Sequence, residues 1–406
     1  MNNLELINKY ENELKEIFDK IDKQALINSK KVIDAFHKYK FSESDLKGTN
    51  GYGYNDSGRD KLDNIFAYIF GAQSALVRNQ FISGSHAITI ALQALLRPND
   101  TLLSISGTPY DTLHEVIGII ENKSSLISYG IKYKEVDLLN NDFDYDKIKE
   151  ELNSNIKVIH IQRSRGYSLR DSINITKLKK VISFIKSINK DAIIFVDNCY
   201  CEFVEDYSPI EVGADIIVGS LIKNLGAGIA TNGAYIAGRE ELVNLCADRL
   251  SVPGEGRDVG PSFDANRMFA LGLFFAPSVV ASALKVSILT SKVLENLGIQ
   301  TSPKYDEDRC DIVELIYFND ETQLTKYATN IQASGAIDAH IVPIASDMPG
   351  YEHKIIMASP SFTQGSSIEL SCDGPIKEPY VLFQQGSLTY EYGKLALINY
   401  LNKINE

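Results

Sequence analysis

The sequence predicts an α/β protein: a mainly parallel central sheet covered by helices, followed by a smaller α+β domain toward the C-terminus. Three observations lead there. Short, continuously apolar runs recur through the middle of the chain: "TLLSIS" (101–106), "KVIHIQ" (157–162), "AIIFVD" (192–197) and "ADIIVGS" (214–220). Helical or loop stretches such as "NITKLKKVISFIKSIN" (174–189) separate them. Strands apolar along their whole length and alternating with helices are buried on both faces, as in a parallel sheet. Finally, 406 residues exceed what one core normally supports, so a large and a small domain are expected.

Taken in order, residues 1–46 read as an N-terminal helical arm of one or two amphipathic helices. Its opening, "MNNLELINKYENELKEIFDKI", spaces Leu, Ile and Phe helically among mixed charges. It lacks the continuous apolar core and cleavage site of a signal peptide. Residues 47–275 are expected to form the large domain. It begins with the loop "KGTNGYGYNDSGRDKLD" (47–63), and "NIFAYIFGAQSALVR" (64–78) continues helically from it. The Gly/Pro-rich break "SVPGEGRDVGPSFDANR" (251–267) is expected to be a mobile active-site loop. Residues 276–406 form the small domain. A long helix over 274–299 leads to strands "DIVELIYF" (311–318) and "HIVPIA" (340–345), then a final helix over 389–404.

Composition narrows the function. Apolar residues make up 44% and charged residues 23% of the chain, ordinary for a soluble enzyme, and no apolar run approaches the length of a membrane span. A net charge of −12 argues against nucleic acid as a partner, since phosphate backbones need a basic face. A small-molecule ligand in a local pocket is the expected partner. Five scattered cysteines make no disulfide framework, which points to a cytoplasmic protein with reduced thiols. Cys199 and Cys201 have no second pair or nearby His to complete a metal set, so no metal is expected.

The residues just past the predicted strands carry the chemistry. "AIIFVD" ends on Asp197; "ADIIVGS" ends on Ser220 and is followed by Lys223; "KVIHIQ" is followed by Arg163 and Arg165. Upstream, "FISGSHAITIALQALL" (81–96) is a small-residue turn opening a helix, whose free N–H groups and dipole suit a phosphate. In a parallel sheet these ends share one edge, where ligands bind. A lysine there, among apolar sequence neighbours, is costly to leave charged. A carboxylate, an amine, a phosphate nest and hydroxyls together fit pyridoxal 5′-phosphate (PLP). That cofactor needs a Schiff-base lysine, an anion opposite its pyridine nitrogen and a phosphate cradle.

At this point the motifs "VDNCYCEFVE", "GADIIVGSLIKNLGAGIATNGAYIAG" and "YGYNDSGRDKLDNIFAYIFGAQSALVRNQFISGSHAITIAL" resemble the methionine γ-lyase-like family. This branch of the Cys/Met-metabolism PLP enzymes is also labelled aluminium-resistance or cystathionine-β-lyase-like. The likeness runs from about residue 45 to the end, through "SSIELSCDGPIKEPY" and "QQGSLTYEYGKLAL". It implies the PLP-dependent transferase fold type I (aspartate-aminotransferase-like), a homotetramer built from tight dimers, and carbon–sulfur lyase activity on a cysteine-, cystathionine- or methionine-like amino acid. It further implies Lys223 as Schiff-base lysine and proton shuttle, with Asp197 at the pyridine nitrogen. Gly84, Ser85 and Ser220 would hold the phosphate, and Tyr110 would stack on the ring. Tyr54 and Arg59 would reach the phosphate of a neighbouring subunit.

Two departures stand out. Ile222 occupies the place of a threonine that precedes the lysine in better-known transsulfuration enzymes. Those enzymes also read the substrate carboxylate with an arginine in an "RLSVG" context, whereas this chain reads "IELSCDG". Beyond residue 276 its only arginine is Arg309, inside the acidic run "YDEDRC". The carboxylate reader is therefore expected to be Arg163 or Arg165, with Arg257 or Arg267 in reserve.

Overall fold

The computed structural model describes residues 2–153, 155–348 and 353–404. Seven strands build the large sheet: β1 (Ser74–Arg78), β2 (Thr101–Ser104), β3 (Lys132–Glu135), β4 (Ile156–Gln162), β5 (Ile193–Asp197), β6 (Ile216–Ser220) and β7 (Ala234–Gly238). Their order is β1-β7-β6-β5-β4-β2-β3, with β7 antiparallel to both neighbours and the remaining pairs parallel. Alternation along each strand divides the apolar side chains between two faces. Ile194, Val196 and Ile217 pack against helices Ile175–Ile188 and Ala265–Asn296. Ile193, Phe195, Ile216 and Val218 pack against helices Gly84–Leu95 and Glu240–Leu250. Full burial of each such side chain contributes about 1.5–3 kcal/mol. That is why these strands read as unbroken apolar runs.

The register fixes the functional edge. Gln162 pairs with Asp197, Asp197 with Val218, and Ser220 with Ala234, so the carboxyl ends of β4, β5 and β6 adjoin.

The second sheet is antiparallel, ordered β10-β11-β12-β9-β8, from β8 (Thr301–Ser302), β9 (Glu314–Phe318), β10 (Ile355–Ala358), β11 (Ser371–Pro375) and β12 (Tyr380–Gln385). Helices Glu321–Ser334 and Tyr390–Ile404 supply Leu324, Tyr327, Ala396 and Tyr400 to its core. The N-terminal helices Asn3–Glu13 and Lys15–Lys38 are not a detached arm. Ile7, Tyr10 and Leu14 are buried with Ile288, Leu289 and Leu397, and Glu13 pairs with Lys292 at 3.0 Å.

Four expectations need correction. The helix over 64–78 stops at Phe70, because Gly71 adopts a left-handed φ of 67° that ends it, and "SALVR" becomes strand β1. "HIVPIA" forms no strand: Pro343 removes a ladder donor, and Val342 and Ile344 lie exposed. The 251–267 segment is tied down, its Gly260 and Phe263 amides donating to the Tyr52 and Thr49 carbonyls. The helix Ala265–Asn296 spans 32 residues and runs from one core into the other. Against the expectation that no apolar run approaches a membrane span, that helix is long and apolar enough to cross one, with 72% of its most apolar window buried in the protein.

Candidate active site

Asp197 terminates β5 and is 7% exposed, its carboxylate accepting a 3.1 Å hydrogen bond from the Cys199 amide. The chain then turns sharply, and Tyr200 takes a φ of 71° that a bulky side chain rarely adopts. The turn sets the Tyr200 ring beneath Lys223, whose Nζ lies 4.0 Å from the ring centroid. A hydrogen bond of 2.8 Å between the Tyr200 and Ser367 hydroxyls anchors that ring to the small domain. Tyr200 gives no signal in the sequence, since a positive φ at a tyrosine is imposed by its surroundings.

Lys223 follows Ser220 at the end of β6 and opens a tight turn, Asn224–Gly226. A Cβ on Gly226 would lie 1.5 Å from the Leu221 carbonyl oxygen, so only glycine closes this turn. Burial disfavours the ammonium, but Tyr200, Cys199 and Asp197 outweigh it and hold the amine above its ordinary pKa. The residues adjacent in sequence are apolar; those adjacent in space are not.

Opposite stands the N-terminus of helix Gly84–Leu95. Ser83 caps it by accepting from the His86 amide at 3.0 Å, leaving the first-turn amides of Gly84 and Ser85 without intrahelical partners. A Cβ on Gly84 would approach the Ser220 Cβ to 3.2 Å and the Cys199 Sγ to 3.8 Å. Glycine thus keeps open the narrow space between helix and strand end, with the buried Ser220 side chain on its far wall. A carboxylate, an amine and an amide-lined anion cradle along one edge fit PLP.

Tyr110 is held beside this edge, its amide donating to the Gln162 Oε1 at 2.8 Å while Gln162 neighbours Asp197 across β4 and β5. A cavity of about 440 Å³ opens here, lined by Tyr110, Gln162, Arg165, Tyr167, His353 and Lys377 among others. Tyr167 and Asp373 are further residues the sequence did not single out. Burial pushes the Asp373 carboxyl up to about 6, against hydrogen bonds from Tyr167 and Gln385, and Lys223 also acts on it. Under Asp197, His160 stacks on Phe195, and neither of its buried ring nitrogens has a hydrogen-bond partner.

The remaining expected residues are placed differently. Arg59 is 3% exposed and donates to the Gly53 and Gly260 carbonyls at 2.8 and 3.0 Å, knotting its loop to the 258–261 segment. Tyr54 is exposed and stacks on Tyr52. Arg163 belongs to the frame: it binds Asn198 at 2.8 Å, the Ile173 carbonyl at 3.2 Å and the Glu205 carboxylate. Arg257 reaches Ser74 at 2.7 Å, and Ser74 aligns with Gly238 and Ile216 at the amino edge of the sheet, away from Asp197. Arg257 therefore makes its contact at the opposite edge of the sheet from Asp197 and does not serve as a substrate ligand. Arg267 is exposed.

Comparison with known proteins decides the family. The Methionine gamma-lyase family model matches residues 3–405. The chain belongs to the methionine gamma-lyase family. An uncharacterized Bacillus subtilis protein, YnbB, is 44% identical over 391 residues, covering 96% of this chain and 93% of its own. A Listeria innocua structure, provisionally named a cystathionine beta-lyase involved in aluminum resistance, superposes with a TM-score of 0.97 at 45% identity over 99% of both chains. A Clostridium novyi structure, named a carbon-sulfur lyase involved in aluminum resistance, gives 0.95 at 42% identity over 99% of this chain and 96% of its own. The fold is that of PLP-dependent lyases of fold type I.

Proposed function

We propose that this member of the methionine gamma-lyase family is a PLP-dependent carbon–sulfur lyase that cleaves a sulfur-containing amino acid, cysteine-, cystathionine- or methionine-like, by β- or γ-elimination. The observation that carries the reading is the convergence of Lys223, Asp197 and the Gly84–Ser85 amides on one sheet edge, with Lys223 seated over Tyr200. The cofactor, when bound, supplies an aldehyde for Lys223 and an electron sink for the substrate's α-carbon.

The chain supplies the rest. Asp197, anchored by the Cys199 amide, presents a fixed anion to a cationic ring nitrogen. The Gly84 and Ser85 amides and the Ser220 hydroxyl receive a dianionic phosphate at a helix N-terminus. Tyr110, whose amide Gln162 holds, would cover the face of the cofactor's ring. The Lys223 Nζ takes and returns the substrate's α-proton, a role that contributes typically 10²–10⁴-fold in rate.

The test pairs a spectrum with product analysis. Addition of PLP to the wild type should give a visible band that borohydride traps covalently at Lys223, and Lys223→Ala should give none. L-cystathionine, L-cysteine or L-methionine should then release ammonia, a keto acid and a thiol, or hydrogen sulfide in the case of cysteine. Absence of the band sinks the cofactor assignment; a band without thiol or sulfide release from any of the three sinks the lyase assignment.

A further inference from the structure

The site needs a cation for the carboxylate of an amino acid, and among the described residues the small domain brings no arginine to the cavity, only Lys377 and His353, neither of which offers a guanidinium fork. Glu369, in the "IELSCDG" stretch, is buried and accepts the Phe362 and Thr363 amides at 2.8 and 3.1 Å. Arg309 is buried against Glu314 at 2.6 Å and donates to Ser287 as well. Arg170 holds the Gln162 and Ser164 carbonyls at 2.8 and 2.7 Å. Arg163 and Arg257 are engaged as described above.

Arg257 shares with Arg165 a buried Nε without a partner but reaches Ser74 at the amino edge of the sheet, whereas Arg165 lines the cavity beside Tyr110. Arg165 is 2% exposed and stands between two cavities: one of 440 Å³ shared with Tyr110, Gln162 and Tyr167, and one of about 810 Å³ that holds its contacts Ser302 and Asp171. Its nearest carboxylate, Asp171, stands at 4.0 Å. Among the described residues its hydrogen bonds are two long contacts to Ser302, 3.2 Å to the hydroxyl and 3.4 Å to the carbonyl, and its buried Nε has no partner. A buried guanidinium without a close anion is expensive to maintain, and a carboxylate is the planar, bidentate partner that its fork matches.

We propose that Arg165 binds the α-carboxylate of the substrate, which replaces Ser302 as the partner of the guanidinium. The inference rests on the amino-acid reading above and deepens it: the ligand is an α-amino acid with a free carboxylate, read from the loop after β4 of the large domain. Ser302 occupies the fork until the substrate arrives.

L-Alanine and L-alaninamide make the test independent of elimination, since neither carries a sulfur leaving group. Their dissociation constants for the PLP-loaded protein are measured by calorimetry. The wild type should bind alanine ~30-fold or more tightly than the amide, the scale expected of a buried, charge-assisted bidentate pair. Arg165→Leu should bring that ratio close to one, Arg165→Lys should retain only part of it, and Ser302→Ala should preserve it. Should Arg165→Leu not fold, Arg165→Lys decides on the same ratio. An equal affinity for both compounds in the wild type overturns the proposal, as does an undiminished ratio in Arg165→Lys. If the ratio behaves as expected but no thiol is ever released, the lyase reading falls and the Arg165 assignment stands.

Discussion

Asp197 and Lys223 are legible in the sequence because each follows an unbroken apolar strand, and adjoining strand ends of a parallel sheet meet at one edge. Their surroundings are not legible, because Tyr200, Asp373 and Tyr167 arrive from a strained turn, the other domain and a loop. His160 illustrates the gap: within "KVIHIQ" it reads as one polar residue in a strand, but in the fold it is buried and unpartnered. Burial lowers its pKa from 6.5 to about 4, with Arg170 acting in the same sense and Asp197 against it. Between these values the unfolded chain binds a proton that the folded chain refuses. The stability this residue confers is therefore full above pH 6.5 and is lost as pH falls toward 4, by roughly 3 kcal/mol. Glu202, Glu314 and Asp373 have pKa values raised by burial and respond in the opposite sense. For that reason the comparison must be with His160→Phe, which leaves those groups in place. Urea unfolding from pH 7 to pH 4 should show the wild type losing more stability than the variant; parallel curves would refute the assignment.

At the scale of elements, the hardest sequence signals to read were competing ones. The helical pattern over 64–78 conflicts with a single Gly71 stop, and the apolar run 340–345 with a single Pro343; in both cases the backbone constraint wins. Gly272 poses a similar conflict inside the helix Ala265–Asn296. Alanine has the better helix propensity by about 0.8–1.0 kcal/mol. A Cβ there, however, would lie 2.6 Å from the Gly226 carbonyl oxygen, where the long helix supports the turn that follows Lys223. Neither backbone can move without disturbing a core, so overpacking of about 1–3 kcal/mol should outweigh the gain in propensity. Gly272→Ala is thus expected to lower the urea midpoint and to weaken PLP binding by displacing Lys223. A variant more stable than the wild type would show that the turn yields freely.

For the whole molecule, the alternation of strands and helices makes the large sheet legible, but nothing in a single chain's pattern announces which surfaces meet other copies. The helix that crosses both cores gives one indication. Leu271, Phe274 and Phe275 lie at helical spacing on its outer face and are 43%, 49% and 44% exposed. Three large apolar residues side by side on an exposed face are the kind of patch that a contact with another copy would cover. Tyr52 and Tyr54 present a second exposed pair on the loop that Arg59 knots in place. A homotetramer of tight dimers would cover such surfaces, and light scattering at micromolar concentration should then return about four times the 45.1 kDa of one chain. Phe274→Glu combined with Phe275→Glu puts two charges where an apolar contact would form, and like charges from facing copies would add repulsion. The doubly substituted protein should elute as a smaller species while its circular dichroism stays unchanged. A wild type of one chain's mass would refute the assembly. An unchanged mass in the variant would locate the contact elsewhere, with the Tyr52–Tyr54 loop the next surface to substitute.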